Sequence, residues 1–209
     1  MSERLPKDSQ VIFCLLLAFA LWAAVFGLKI VNFWLGLSLA SAALAVAGIF
    51  LAGPPVKKKE INLRGAVFGL SAAALLYFIF LLGNIIGPLI FSFAEREIDG
   101  IYSIKQEGGT LVITMMLIFV TSPAEEIFWR GFLQRFAMSR LGSLCGLLAA
   151  ASLYAAAHIV SGNVMLVLAA LTAGLFWGAL YLYSRSVFVC IISHIAWTLA
   201  IFVLWPMNQ

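Results

Sequence analysis

The sequence predicts an all-α, polytopic membrane helical bundle of about seven transmembrane helices. Three observations carry this. The 209 residues are 64% hydrophobic and 11% charged, whereas soluble chains carry roughly a quarter charged residues. Apolar runs of about 18 residues or more recur, the length that crosses a hydrocarbon core near 30 Å. The runs lack the period-two alternation of membrane strands, which excludes a barrel.

The first span is expected at about Val11 to Leu28, after a polar tail with Arg4 and Lys7. It leads into a second span and has no convincing small-residue cleavage site, so it reads as a retained helix, not a signal peptide. The second covers about Phe33 to Ala52 and is broken by Gly53-Pro54-Pro55. The third covers about Gly65 to Gly83. Asn84 to Phe93 stays apolar around Gly87-Pro88, as a broken extension or an interfacial piece. Glu95 to Glu107 is a polar loop. The fourth span starts near Thr110 and runs through Glu125-Glu126 into a polar continuation with Arg130, Arg135 and Arg140. The fifth covers about Leu141 to Ile159, the sixth Val164 to Tyr183 and the seventh Val187 to Trp205. Residues 1–108 thus form a three-span region with a polar loop, and 109–209 a four-helix core, in one integrated domain.

Lys57, Lys58, Lys59 and Arg64 make the densest basic loop, which the positive-inside rule puts in the cytoplasm. The N-terminus is then cytoplasmic, the acidic loop external, and Arg130–Arg140 and Arg185 internal. The formal charge of +4 is scattered over short loops, so nucleic acid is not an expected partner; membrane lipid is. Cys14, Cys145 and Cys190 fall singly in three apolar runs, which argues for packing roles and against a disulfide framework or thiolate metal cage.

Seven of nine acids lie in the tail or polar connections. Glu125 and Glu126 are the two in the apolar C-terminal half, which also holds both histidines, His158 and His194. Ionisable groups inside spanning segments are costly and mark function by default. A plainer reading of the acids exists. Ser122-Pro123-Ala124-Glu125 fits a capping box with Ser122 as N-cap, Glu126 favours the helix dipole, and Glu126 and Arg130 have ion-pair spacing. The histidines shift the balance. Tyr154 and His158 share a helix face, as do His194 and Thr198.

An antiparallel hairpin turning near Leu141 and Gly142 pairs residues whose numbers add to about 283, as those of Glu125 and His158 do, roughly 24 Å from the turn. His194 fits this register less well. A turn near Arg185 puts it level with Phe176, whereas His158 is level with about Met165, a mismatch of roughly 16 Å. A sixth helix that starts late, or one strongly tilted, would remove it.

Glu125-Glu126-x-x-x-Arg130, Tyr154-x-x-x-His158 and His194-x-x-x-Thr198 resemble the three motifs of the CAAX protease and bacteriocin-processing (CPBP, or ABI) family. Its members are intramembrane glutamic endopeptidases related to the Rce1 type of prenyl-protein protease. The resemblance covers about Thr110 to Ile201. Tyr154 stands where Phe is usual and Thr198 where Asn is commonest. It implies a membrane peptidase without a cofactor, acting on a peptide or protein substrate near the membrane. Catalytic Glu125, Glu126, His158 and His194 are supported by Arg130, Tyr154 and Thr198.

Hydrolysis needs a base for water, an oxyanion stabiliser and a proton donor to the leaving amine. Glu125 is the expected base and His158 positions the water. By resemblance, His194 and Thr198 stabilise the oxyanion, while Glu126, held by Arg130, orients the site. Two alternatives remain. Glu125, His158 and His194 could supply an open three-ligand zinc site, although no His-Glu-x-x-His is present. The chain could also be an inactive immunity or scaffold protein that keeps the motif for stability.

Overall fold

The computed structural model describes residues 5–207; Glu3 and Arg4 of the polar tail lie outside that range. Seven helices are long and apolar enough to cross a membrane. We label them together with a short α-helix between two of them: α1 Asp8–Gly27, α2 Phe33–Ala52, α3 Leu63–Ile90, α4 Ala94–Ser103, α5 Thr110–Leu141, α6 Ser143–Ser161, α7 Val164–Ser184 and α8 Val187–Leu204. Among the described residues there is no strand. The chain is a multi-pass integral membrane protein.

Local chemistry sets the boundaries. Asn32, Asn62, Asn163 and Ser186 each precede a span and accept a first-turn backbone N–H on their side-chain oxygen, satisfying a donor that no intrahelical carbonyl can reach. Gly53, with φ of +79°, and the two prolines after it stop α2.

The Asn84–Phe93 stretch resolves as an extension of the third span. α3 runs unbroken through Pro88 to Ile90, with no eighth crossing. Its 28 residues rise about 42 Å, more than the hydrocarbon core needs. The chain then turns into α4, where Glu95 and Asp99 are exposed while Ala94 is buried.

The capping-box reading of the acids is overturned. α5 is one helix of 32 residues, and Ser122 sits inside it with helical φ and ψ of −62° and −44°. Its hydroxyl is buried without a hydrogen-bond partner among the described residues. Glu125 and Glu126 therefore lie mid-helix, far from any helix-terminal dipole.

One apolar cluster joins α1 and α2 to α5, α6 and the start of α7, around Trp22, Leu44, Phe128, Trp129 and Phe132. A second joins α3 to α7 and α8, around Leu76, Trp177, Cys190 and Trp197. Cys14 and Cys190 are buried packing residues, but Cys145 is exposed on α6. Close helix approach depends on small residues. A Cβ at Gly174 would meet Ala151 Cα and the Tyr154 ring at 3.3 Å, and one at Gly178 would meet Leu147 at 3.1 Å. These contacts dock α7 on α6, as the four-residue glycine spacing predicts.

Candidate active site

The site begins with a fault in α5. Pro123 lacks the N–H that would bond one turn back, and its ring crowds that carbonyl. The helix accommodates it with π turns on either side, Leu117–Thr121 and Ile127–Gln134. Such wide turns often mark functional positions. The consecutive acids then point to different neighbours. Glu125 reaches α6, and Glu126 reaches α8.

Glu126 is fully buried at 0% exposure and Arg130 nearly so at 2%. Arg130 Nη1 donates to Glu126 Oε1 at 3.1 Å. Nη2 donates to the Ala173 and Gly174 carbonyls of α7 at 3.4 and 3.3 Å. The guanidinium lies 5.1 Å from the Tyr154 ring centre and 5.4 Å from that of Trp177, so two aromatic faces replace water around the cation. His194 Nδ1 shares Glu126 Oε1 at 2.8 Å. The ring is stacked on Trp177 with centroids 3.9 Å apart, and Trp177 is fixed by its indole N–H on Ser193 Oγ at 3.2 Å. A carboxylate can only accept, so His194 carries a proton on Nδ1 and leaves Nε2 for other partners.

Glu125 Oε2 accepts the Tyr154 hydroxyl at 2.8 Å. Its other oxygen has no hydrogen-bond partner among the described residues. One turn on, His158 Nδ1 donates to the Tyr154 carbonyl at 2.8 Å. Its Nε2 accepts the Trp22 indole N–H at 3.3 Å. A carbonyl only accepts and an indole only donates, so His158 is neutral with its proton on Nδ1. Phe26 and Tyr154 close around the ring at centroid distances of 5.2 and 4.9 Å.

The hairpin register holds where α5 turns into α6. Gly146 lies against the Ala137–Met138 backbone, with no room for a Cβ, which matches the expected pairing. The offset between the histidines is real. Trp177 stacks on His194 at the level the Arg185 turn predicts, and α7 starts regularly at Val164, so no late start removes the mismatch. The groups are joined laterally. α8 packs on α5, so His194 meets Glu126 directly, while His158 stands nearer the α6–α7 turn.

Thr198 departs from expectation. Its hydroxyl donates to the His194 carbonyl at 2.7 Å. The proton expected for an oxyanion is committed to the helix backbone.

Sequence reasoning missed three residues. Trp22 comes from the first span, which has no motif. Trp177 sits between Gly174 and Gly178, and that spacing could have flagged its face. Gln134 is buried one turn beyond Arg130 and donates to the Gly178 carbonyl at 2.9 Å; its spacing of four from Arg130 was the available signal.

A cavity of about 530 Å³ opens beside this network. Glu125, Tyr154, His158, His194 and Thr198 line it, and its remaining wall is mostly aliphatic and aromatic. Glu126 and Arg130 lie behind that wall. Two layers result: Glu125 and the histidines face the cavity, and the Glu126–Arg130 pair holds them from the rear.

The family model described as Rce1-like, type II CAAX prenyl endopeptidase, matches residues 107–200. This segment is similar to that family. It contains Glu125, Glu126, Arg130, Tyr154, His158, His194 and Thr198, and the family is one of proteases acting on peptides near a membrane. No curated protein and no solved structure matches the chain.

The residues of the Rce1-like segment do not fit the zinc alternative. Among the described residues no three His, Cys, Asp or Glu side chains converge as a ligand set.

Proposed function

We propose that the protein is an intramembrane endopeptidase in which Glu125 activates water against a peptide bond held in the cavity. The observation that carries this reading is the division of labour between the acids. Glu125 faces the cavity with one oxygen held by Tyr154, whereas Glu126 is buried with Arg130 and His194. One carboxylate is free to exchange a proton; the other is fixed as a counter-charge.

Water binds at the unpartnered oxygen of Glu125. His158 Nε2 is its second acceptor once the long Trp22 contact yields. Water oxygen attacks the carbonyl carbon as Glu125 takes a water proton. Glu125 then delivers that proton to the departing nitrogen, the C–N bond breaks, and a carboxylate and an amine leave. Glu126 fixes the orientation of His194, as an acid does for a catalytic imidazole. His194 Nε2, when protonated, donates to the oxyanion. Thr198 supports this by holding the His194 carbonyl.

Cleavage of membrane-anchored peptides by purified wild type and Glu125→Gln tests the reading. Wild type should release product, with Glu125→Gln slower by at least about 10² and equally well folded. Equal rates would defeat the assignment. No observation in the site favours an inactive scaffold over an enzyme.

A further inference from the structure

The cavity lies wholly at one end of the bundle. Its walls are the end of α3 (Ile86, Ile90), α4 (Ile101, Tyr102), the start of α7 (Met165, Leu168) and the later half of α8. Trp177, His194 and Glu125, nearer the middle of their spans, also line it. Nothing in its lining comes from the Lys57–Arg64 loop, the Leu141–Gly142 turn or the Arg185 turn, all at the opposite end.

The two ends differ in charge. Among the described residues, eight lysines and arginines gather away from the cavity, from Lys7 through Lys57, Lys58 and Lys59 to Arg140 and Arg185. Three, Lys29, Arg96 and Lys105, flank the cavity end, together with four acids, Glu95, Glu97, Asp99 and Glu107. Lys and Arg bias of this size in short loops sets orientation, with the basic end kept in the cytoplasm.

α4 roofs the mouth and is tied to the start of α7. Glu97 Oε2 accepts the Met165 N–H at 2.9 Å, and Asn163 Nδ2 donates to the Glu97 carbonyl at 2.8 Å. Beside the roof, Ile86, Ile90 and Leu168 line the cavity yet are 46%, 65% and 38% exposed. That apolar edge leaves the cavity open at the lateral face of the bundle.

We propose that the cavity opens on the exported face of the membrane, and that its substrate is a membrane-anchored peptide presented there. This rests on the peptidase reading for the chemistry and on the charge asymmetry for the face. A lipidated protein confined to the cytoplasmic leaflet would meet the basic end, where the structure offers no passage to Glu125. An exported chain still held by an apolar anchor would lie beside the α3–α7 edge, with its polar flank under α4.

The test separates the two supports. In a Cys145→Ser background, Gln106→Cys at the cavity end, Ala169→Cys in the cavity wall and Lys58→Cys in the basic loop are treated in intact cells with a membrane-impermeant methanethiosulfonate. Gln106→Cys and Ala169→Cys should be modified from outside, and Lys58→Cys only after permeabilisation. The reverse pattern, or equal modification from both sides, overturns the proposal and leaves the peptidase reading intact. A mixed-sequence library of acyl-anchored peptides is then added outside right-side-out and inverted vesicles, with products read by mass spectrometry. Cleavage should be at least tenfold greater in right-side-out vesicles. If detergent-solubilised wild type cleaves no library member, the peptide substrate class is overturned even where labelling places the cavity outside.

Discussion

The Tyr154 hydroxyl and the Glu125 carboxylate meet at 2.8 Å across two spans. The bond immobilises one carboxylate oxygen; in the proposed mechanism the other takes the water. Tyr154→Phe keeps the ring against Trp129 and Arg130 and removes the donor alone. A hydrogen bond to a charged group contributes about 1.5–3 kcal/mol to stability, so Tyr154→Phe should lower the melting temperature modestly and kcat about 10- to 100-fold, with KM nearly unchanged. An unchanged kcat would show that Glu125 needs no such clasp.

Arg130 has 2% exposure and satisfies Glu126 and two carbonyls of α7. Removing one partner of a buried ion pair costs about 3–5 kcal/mol. Arg130→Ala should lower folded yield and melting temperature in detergent together with activity. Normal yield and melting would mean that water reaches Glu126 and replaces the guanidinium.

Thr198 distinguishes spacing from geometry. An oxyanion donor at this position would make Thr198→Val lose about 10²–10³ in kcat. With its proton on the His194 carbonyl, Thr198→Val should instead stay within a few-fold of wild type, while His194→Ala loses activity. A loss of 10² or more in Thr198→Val would show that the hydroxyl swings to substrate during turnover.

Trp22→Phe tests whether the first span acts on the site. The indole N–H occupies His158 Nε2, so its loss should free that nitrogen. The His158 ¹⁵Nε2 resonance should shift, with Nδ1 remaining the protonated nitrogen. An unshifted resonance would mean that the 3.3 Å contact contributes nothing in solution.

The spans were legible because hydropathy reports what a bilayer requires of each segment. Phe33–Ala52 is delimited by Asn32 and Gly53, both visible in the sequence. The acids were legible as a candidate site because a charge in an apolar run is costly and marks function by default. Their placement was not. Ser122-Pro123 has the chemistry of a helix start, and only packing of both flanks forces a proline into mid-helix between π turns. Equal height predicted the pairing of α5 with α6 but located the contact only to within a turn. So Tyr154, one turn from His158 on the same face, is the residue that bonds Glu125. Trp22 was invisible because it contributes a single indole N–H from a segment otherwise indistinguishable from packing.

The burial of Glu125, Glu126 and Arg130 also bears on how the chain enters the membrane. Central charges cost about 2.5–3.5 kcal/mol each during translocon insertion, so α5 alone is a poor stop-transfer segment. Three groups that offset this cost, the Ala173 and Gly174 carbonyls and His194, lie 43 to 68 residues downstream and are synthesised later. The nascent α5 is therefore expected to wait at the protein-conducting channel, or beside α2, until α7 and α8 arrive. A ribosome-bound chain ending at Gly162 should leave α5 only partly integrated, and extension through Leu204 should complete it. The central helix is thus expected to become a stable membrane segment only when the polar network around Glu126 and Arg130 closes around it.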